Sequence, residues 1–174
     1  MEPLNSIPAI IRRVSMLVSI LIMLAATVWL VILWPDIPDV VPTHYAADGS
    51  PNSFDSRLSL AAPLIVGWIV TALFIVMERY PQLWNIPGSG NGFRVSIGKF
   101  SRGNNGAQAT PGAIASMRNM MAVDRVVIAL LFSVITICSA KCVALPVWAM
   151  VSLVVIMAVS SIFFTAQAAA RNKR

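Results

Sequence analysis

The chain has 174 residues, 57% of them hydrophobic and only 11% charged, with a mean hydropathy of +0.78. Soluble domains carry roughly 25% charged residues, so this composition excludes an aqueous fold hiding its apolar side chains in one core and points to an integral membrane protein. The net charge of +6 forms no basic groove: the cations flank apolar runs, which suits an anionic membrane face and argues against nucleic acid as a partner.

Residues 1–13 form a tail ending in Arg12 and Arg13. Val14 to Trp34 is an apolar run interrupted only by Ser15, Ser19 and Thr27, long enough for a helix that crosses a bilayer, which takes about 20 residues. A cleaved signal peptide has an apolar region of about 7–15 residues followed by a small-residue cleavage site, so a retained span is expected, with Trp29 and Trp34 in an aromatic belt.

The loop from Pro35 to Arg57 holds the sole histidine, His44, four of the seven acidic residues (Asp36, Asp39, Asp48 and Asp55) and four of the eleven prolines. Pro35, Pro38, Pro42 and Pro51 stiffen it, and Asp48-Gly49 supplies a turn. His44 fits either a metal or pH-sensing role among the aspartates or a hydrogen bond within a folded loop, packed on Tyr45 or Phe54. One imidazole and scattered carboxylates favour the second reading, so no metal or cofactor is expected. No nucleophile is placed beside a base, so the chain is not expected to be an enzyme.

Leu58 to Met77 is the second apolar run. Ser59, Pro63, Gly67 and Thr71 recur every fourth residue and form a stripe of small groups suited to close helix packing. Glu78 to Asp124 is polar and holds seven of the nine glycines. Its Gly88–Gly92 stretch lacks the lysine and hydroxyl residue of a phosphate loop and reads as a connection. Phe93 to Ile97 alternates like a strand but has no evident partner. Thr110 and Pro111 open a short amphipathic helix, with Ile114, Met117 and Met121 on one face, that would lie on the membrane surface or make a cytosolic helix contact.

The third span is expected from Val126 to about Leu145, with a stripe of Ala129, Ser133, Thr136 and Ala140 and with Lys141 near its end. The fourth runs from Val147 to about Ala170, with almost no loop at Leu145-Pro146. Three units follow: 14–78 around the loop 35–57, the basic connection 79–125, and the hairpin of spans 126–170. The fold class is therefore all-α, a polytopic membrane protein with four transmembrane helices. Eleven basic residues flank one side of these spans, against Arg57 and Lys141 on the other, so both termini are expected to be cytoplasmic. At that face Glu78 and Arg79 end span two while Asp124 and Arg125 begin span three. Pairing of Glu78 with Arg125, or of Asp124 with Arg79, competes with solvation of all four. Cys138 and Cys142 share one helical face, in poor geometry for a disulfide.

Pro38-Asp39-Val40-Val41-Pro42-Thr43-His44-Tyr45, followed by Gly49, Pro51, Phe54 and Ser56-Arg57, resembles the family called domain of unknown function 1648. In that family a Pro-x-x-Ile/Val-Pro-x-His-aromatic run joins the first two spans of small bacterial membrane proteins, among them SdpI-type immunity proteins that protect against secreted peptide toxins. The resemblance covers about residues 15–78. It implies that Pro38, Pro42, Thr43, His44, Tyr45 and Gly49 matter, with no role assigned. The chain departs from the family in having Asn52 where Asp is usual, Ala46 for Asn and Asp55 where Gly is common. Its second half does not match the later spans of the immunity proteins. The expectation is a non-enzymatic recognition or immunity-like protein of the bacterial plasma membrane, whose partners are the lipid bilayer and a peptide toxin or another membrane protein. The alternative is a small transport component or helper subunit.

Overall fold

A computed structural model describes the backbone of residues 7–80, 93–96, 99–102 and 110–172. The glycine-rich stretch 88–92 and the basic residues Lys173 and Arg174 lie outside the described residues. Helix α1 (Ile7–Leu33) leads through a 3₁₀ turn (Trp34–Asp36) into an antiparallel hairpin of β1 (Val40–Tyr45) and β2 (Pro51–Ser56). A second 3₁₀ turn (Arg57–Leu60) starts α2 (Ala61–Arg79). A small antiparallel pair follows, β3 (Phe93–Ser96) with β4 (Lys99–Arg102), then α3 (Pro111–Ala140) and α4 (Val147–Asn172). Lys99–Arg102 is thus the partner that the strand-like alternation at Phe93 lacked in the sequence.

Four helices are long and apolar enough to cross a membrane, the pattern of a multi-pass membrane protein. Helix α3 is the common wall. It packs against α4, α1 and α2, whereas α1 and α2 touch each other far less. Accordingly α3 carries most of the buried positions, including the small groups Ala129, Ser133, Thr136 and Ala140. The outer faces of α1 and α4 expose Leu17, Leu21, Val155 and Ile162, which is the arrangement that lipid rather than water tolerates.

Three expectations differ. The stiffened loop after α1 holds a β-hairpin, so the fold is mostly helical rather than all-α. Residues 111–125 do not form a separate surface helix. They are the first half of α3, started by Thr110, whose side chain accepts a hydrogen bond from the Ala113 amide with Pro111 behind it. Ala113, Met117 and Met121 pack on Ala168, Phe74 and Met77; the apolar face seeks neighbouring helices instead of lipid headgroups. Finally, α3 ends at Ala140, not near Leu145. Cys142 takes a left-handed conformation (φ 52°), and its amide and that of Val143 return to the Ser139 and Cys138 carbonyls. This 5→2 and 6→1 pair closes the helix end and leaves 141–146 as a real connection.

Candidate functional site

The hairpin is the first candidate, and its shape follows from its backbone chemistry. At the turn, Ala46 donates to the Ser50 carbonyl (2.8 Å) and Gly49 to that of Ala46 (2.9 Å). Gly49 has φ +83°, where an L side chain is strained, and a Cβ there would run into the Leu145 carbonyl and stand 2.7 Å from Val147 Cγ2. Asp48 Oδ1 accepts from the Ser50 hydroxyl (2.6 Å) and amide (2.9 Å); these two bonds hold its carboxyl below the usual range.

Arg57 donates its backbone N–H to the Asp39 carbonyl (2.8 Å). In an antiparallel ladder, bonded and non-bonded pairs alternate. Val41–Asp55 is then bonded, while Val40–Ser56 and Pro42–Phe54 are not. Pro42 therefore occupies a position whose missing N–H would point away from β2, which is why proline fits inside this strand.

The hairpin is docked on the bundle end. Val41 is fully buried and clusters with Leu30, Ile37, Leu60 and Ala140. Tyr45 Oη and Ser139 Oγ share a hydrogen bond of 2.9 Å, and Leu145 donates its amide to the Gly49 carbonyl (2.9 Å). Burial pushes the Tyr45 phenol above its ordinary range, against the opposing pull of the Ser139 bond. Arg57 lies over the Trp34 ring (5.4 Å to its centroid) and 3.6 Å from Asp39 Oδ1. Much of the rest of the hairpin is open: Thr43, His44, Asn52, Phe54 and Asp55 are exposed. There His44 Nδ1 and Asn52 Oδ1 are 2.6 Å apart, so Asn52 is the histidine's partner. Pro38 is exposed at the entry to β1 and Pro42 is buried. Among the described residues no group of three or more His, Cys, Asp or Glu side chains could hold a metal ion.

The second candidate lies at the other end of the bundle. Arg125 is 0% exposed. Its Nη1 meets Glu78 Oε2 at 2.6 Å, and its Nη2 donates to the Arg12 carbonyl (3.3 Å) and to Ser15 Oγ (3.1 Å). Glu78 also faces Arg12 Nε at 3.8 Å, and Arg118 donates to the Glu78 carbonyl (3.2 Å). Asp124 turns the opposite way, accepting from Ser160 and, at 3.1 Å, from Ser161 of α4. Of the four interface charges read from the sequence, the structure brings together Glu78 and Arg125; Asp124 faces α4, and Arg79 is exposed. Because α3 begins at Pro111, Asp124 and Arg125 lie well inside a helix rather than at its start.

The stripe on α2 faces its neighbours unevenly. Gly67 and Thr71 are buried, and a Cβ at Gly67 would stand 2.7 Å from Met23 Cε and 2.9 Å from Phe132 Cβ. Pro63 is half-buried. The Ser59 and Thr71 hydroxyls are buried without a hydrogen-bond partner. Sequence reasoning missed Arg12, Ser15, Ser139, Ser160 and Ser161 as partners. The one available signal was the run of two serines, Ser160-Ser161, in the middle of the apolar fourth span.

Residues 21–70, from within α1 through the hairpin into α2, match the family described as Domain of unknown function (DUF1648). An uncharacterized protein of Archaeoglobus fulgidus is 36% identical over 84 residues, covering 42% of this chain and 44% of the relative. The chain thus covers less than half the length of that relative. No solved structure matches.

Proposed function

We propose that this protein is a non-enzymatic, multi-pass membrane protein that recognises a partner through the hairpin between α1 and α2. The observation that carries the reading is the docking itself. The hairpin is fastened to the bundle by Val41, Tyr45 and Gly49, while Thr43, His44, Asn52, Phe54 and Asp55 are left exposed to solvent. A surface held in shape before binding loses little freedom on binding, and exposed side chains on a rigid support are where recognition is usually built. The distribution of basic residues supports an orientation with the hairpin outside and both termini in the cytoplasm. The likeness of the motif to that of immunity proteins supports a membrane-active peptide as the partner.

The test is survival of a strain of the protein's own host lacking the gene, in conditioned medium and against purified membrane-active peptides. Complementation would use wild type, His44→Ala or Phe54→Ala at equal membrane levels. The expected result is that deletion sensitises the cells, wild type restores them and the hairpin variants do not. Unchanged survival of the deletion strain would overturn the reading.

A further inference from the structure

The strand β2 reaches the rest of the molecule almost entirely through β1, and five of its six residues are exposed. Alternation of the ladder leaves the backbone N–H and C=O groups of Phe54 and Ser56 on the edge away from β1. The Ser56 amide is covered by its neighbour, donating to Asp55 Oδ1 (2.6 Å), but Phe54 has no such cover from a proline or a side-chain cap. An open strand edge is a template for pairing with another chain.

The surroundings say which chain. Phe54 is 56% exposed, so an apolar side chain stands at the edge. Asp36, Asp39, Asp48 and Asp55 are all exposed at this end. The two cations here, Arg57 and Lys141, lie over the rings of Trp34 and Trp29 at 5.4 and 5.7 Å. A second copy pairing edge to edge in the register that sets Asp55 against Asp55 would place like charges across the strand pair, which is destabilising. A strand carrying lysine or arginine meets no such penalty.

We propose that the free edge of β2 receives an extended cationic peptide as a third strand, its backbone pairing at Phe54 and its basic side chains meeting Asp55. This rests on the hairpin being the recognition surface and specifies the binding mode. Main-chain pairing of this kind gives affinity, with side chains of alternate residues giving selectivity.

The test uses wild-type protein in nanodiscs of zwitterionic lipid, titrated with a labelled short peptide of alternating lysine and valine and followed by anisotropy, with empty nanodiscs as blank. The expected result is saturable binding, weakened about tenfold or more when every peptide amide is N-methylated, since that removes donors while keeping charge. Phe54→Pro, which removes the edge N–H, should weaken the unmodified peptide more than Phe54→Ala does. The N-methylated probe makes the comparison on unaltered protein, so it stands even where Phe54→Pro disturbs the hairpin. Equal saturable binding of both peptides, still lost with Phe54→Ala and Asp55→Asn, would overturn strand addition while keeping the hairpin as the recognition surface. Absence of saturable binding overturns the proposal; together with unchanged survival of the deletion strain it removes the recognition reading too. A dimer that Phe54→Pro dissociates would assign the edge to a second copy and overturn the cationic peptide.

Discussion

The two ends of the bundle solve the same problem in opposite ways. At the hairpin end the polar contacts are mostly local: Asp48 with Ser50, His44 with Asn52, Arg57 with Asp39. Few long-range bonds fasten the result, chiefly Tyr45 to Ser139 and Gly49 to Leu145. At the charged end Arg125, Glu78, Arg12 and Ser15 come from three helices, and apart from the Ser15 bond to the Arg12 carbonyl within α1 the cluster forms only when those helices meet. The hairpin can keep its shape while loosely attached, whereas the charged cluster is either assembled or exposed as unpaired charge.

The sharpest way to break this contrast is Arg125→Leu. Removing one partner of a buried ion pair typically costs about 3–5 kcal/mol, because Glu78 is left among packed helices. Replacing both, Arg125→Met with Glu78→Gln, should recover most of that loss, as judged by unfolding in mixed detergent. A single variant that unfolds like wild type would place the cluster in contact with water.

Gly49→Ala comes next. A non-glycine residue held in a sparsely populated backbone region costs about 1–3 kcal/mol, and here its Cβ also strikes the Leu145 carbonyl. The expected outcome is undocking of the hairpin tip, read as faster amide exchange at Leu145, while α3 and Arg125 keep their protection. Loss of protection throughout would mean that the two ends are one cooperative unit.

The smallest effect is expected from Tyr45→Phe, which removes one hydrogen bond worth about 0.5–1.5 kcal/mol. It carries a sign that can be checked against pH. The folded phenol pKa lies above its unfolded value of about 10, because burial favours the neutral form. Its contribution is therefore whole below that pH and is lost as the pH rises through the folded value. Docking of wild type should weaken on that alkaline limb, and Tyr45→Phe should abolish the limb. An unchanged limb in the variant would assign it to another group.

Much of the helical framework was legible because apolar runs of this length have little else to form. The start of α3 was legible too: Thr110 and Pro111 form a local signal, and the structure uses both. The hairpin was visible as a shaped loop but not as strands. Pro42 and Pro51 argue against strands by propensity, and only the pairing register shows that the missing Pro42 donor points away from β2. The continuity of α3 was hidden because the amphipathic face of Met117 and Met121 suits lipid headgroups and a neighbouring helix equally well. Which helix is neighbour decides it, and a single sequence does not state that. The same ignorance kept Arg12 and Ser160 out of the expected sites: their partners lie 113 and 36 positions away along the chain.

Ser139 and Arg125 both belong to α3, fourteen residues apart, close to a whole number of turns at about 3.6 residues each. They lie on nearly the same face, and both are gripped by residues of α1, the hairpin or α2. The motif-bearing first half of the chain is therefore an open clasp. Its two arms meet at Trp68 and Thr27 (3.0 Å) but touch each other far less than either touches α3, and it closes around a helix that offers small side chains along one edge and an arginine at the far end. Within residues 21–70 Leu30, Ile37, Val41 and Leu60 cluster together, and in this chain Ala140 of α3 completes that cluster. Transplanting the motif without such a helix should keep the local turn of the hairpin but leave Tyr45 and Gly49 without their partners at Ser139 and Leu145.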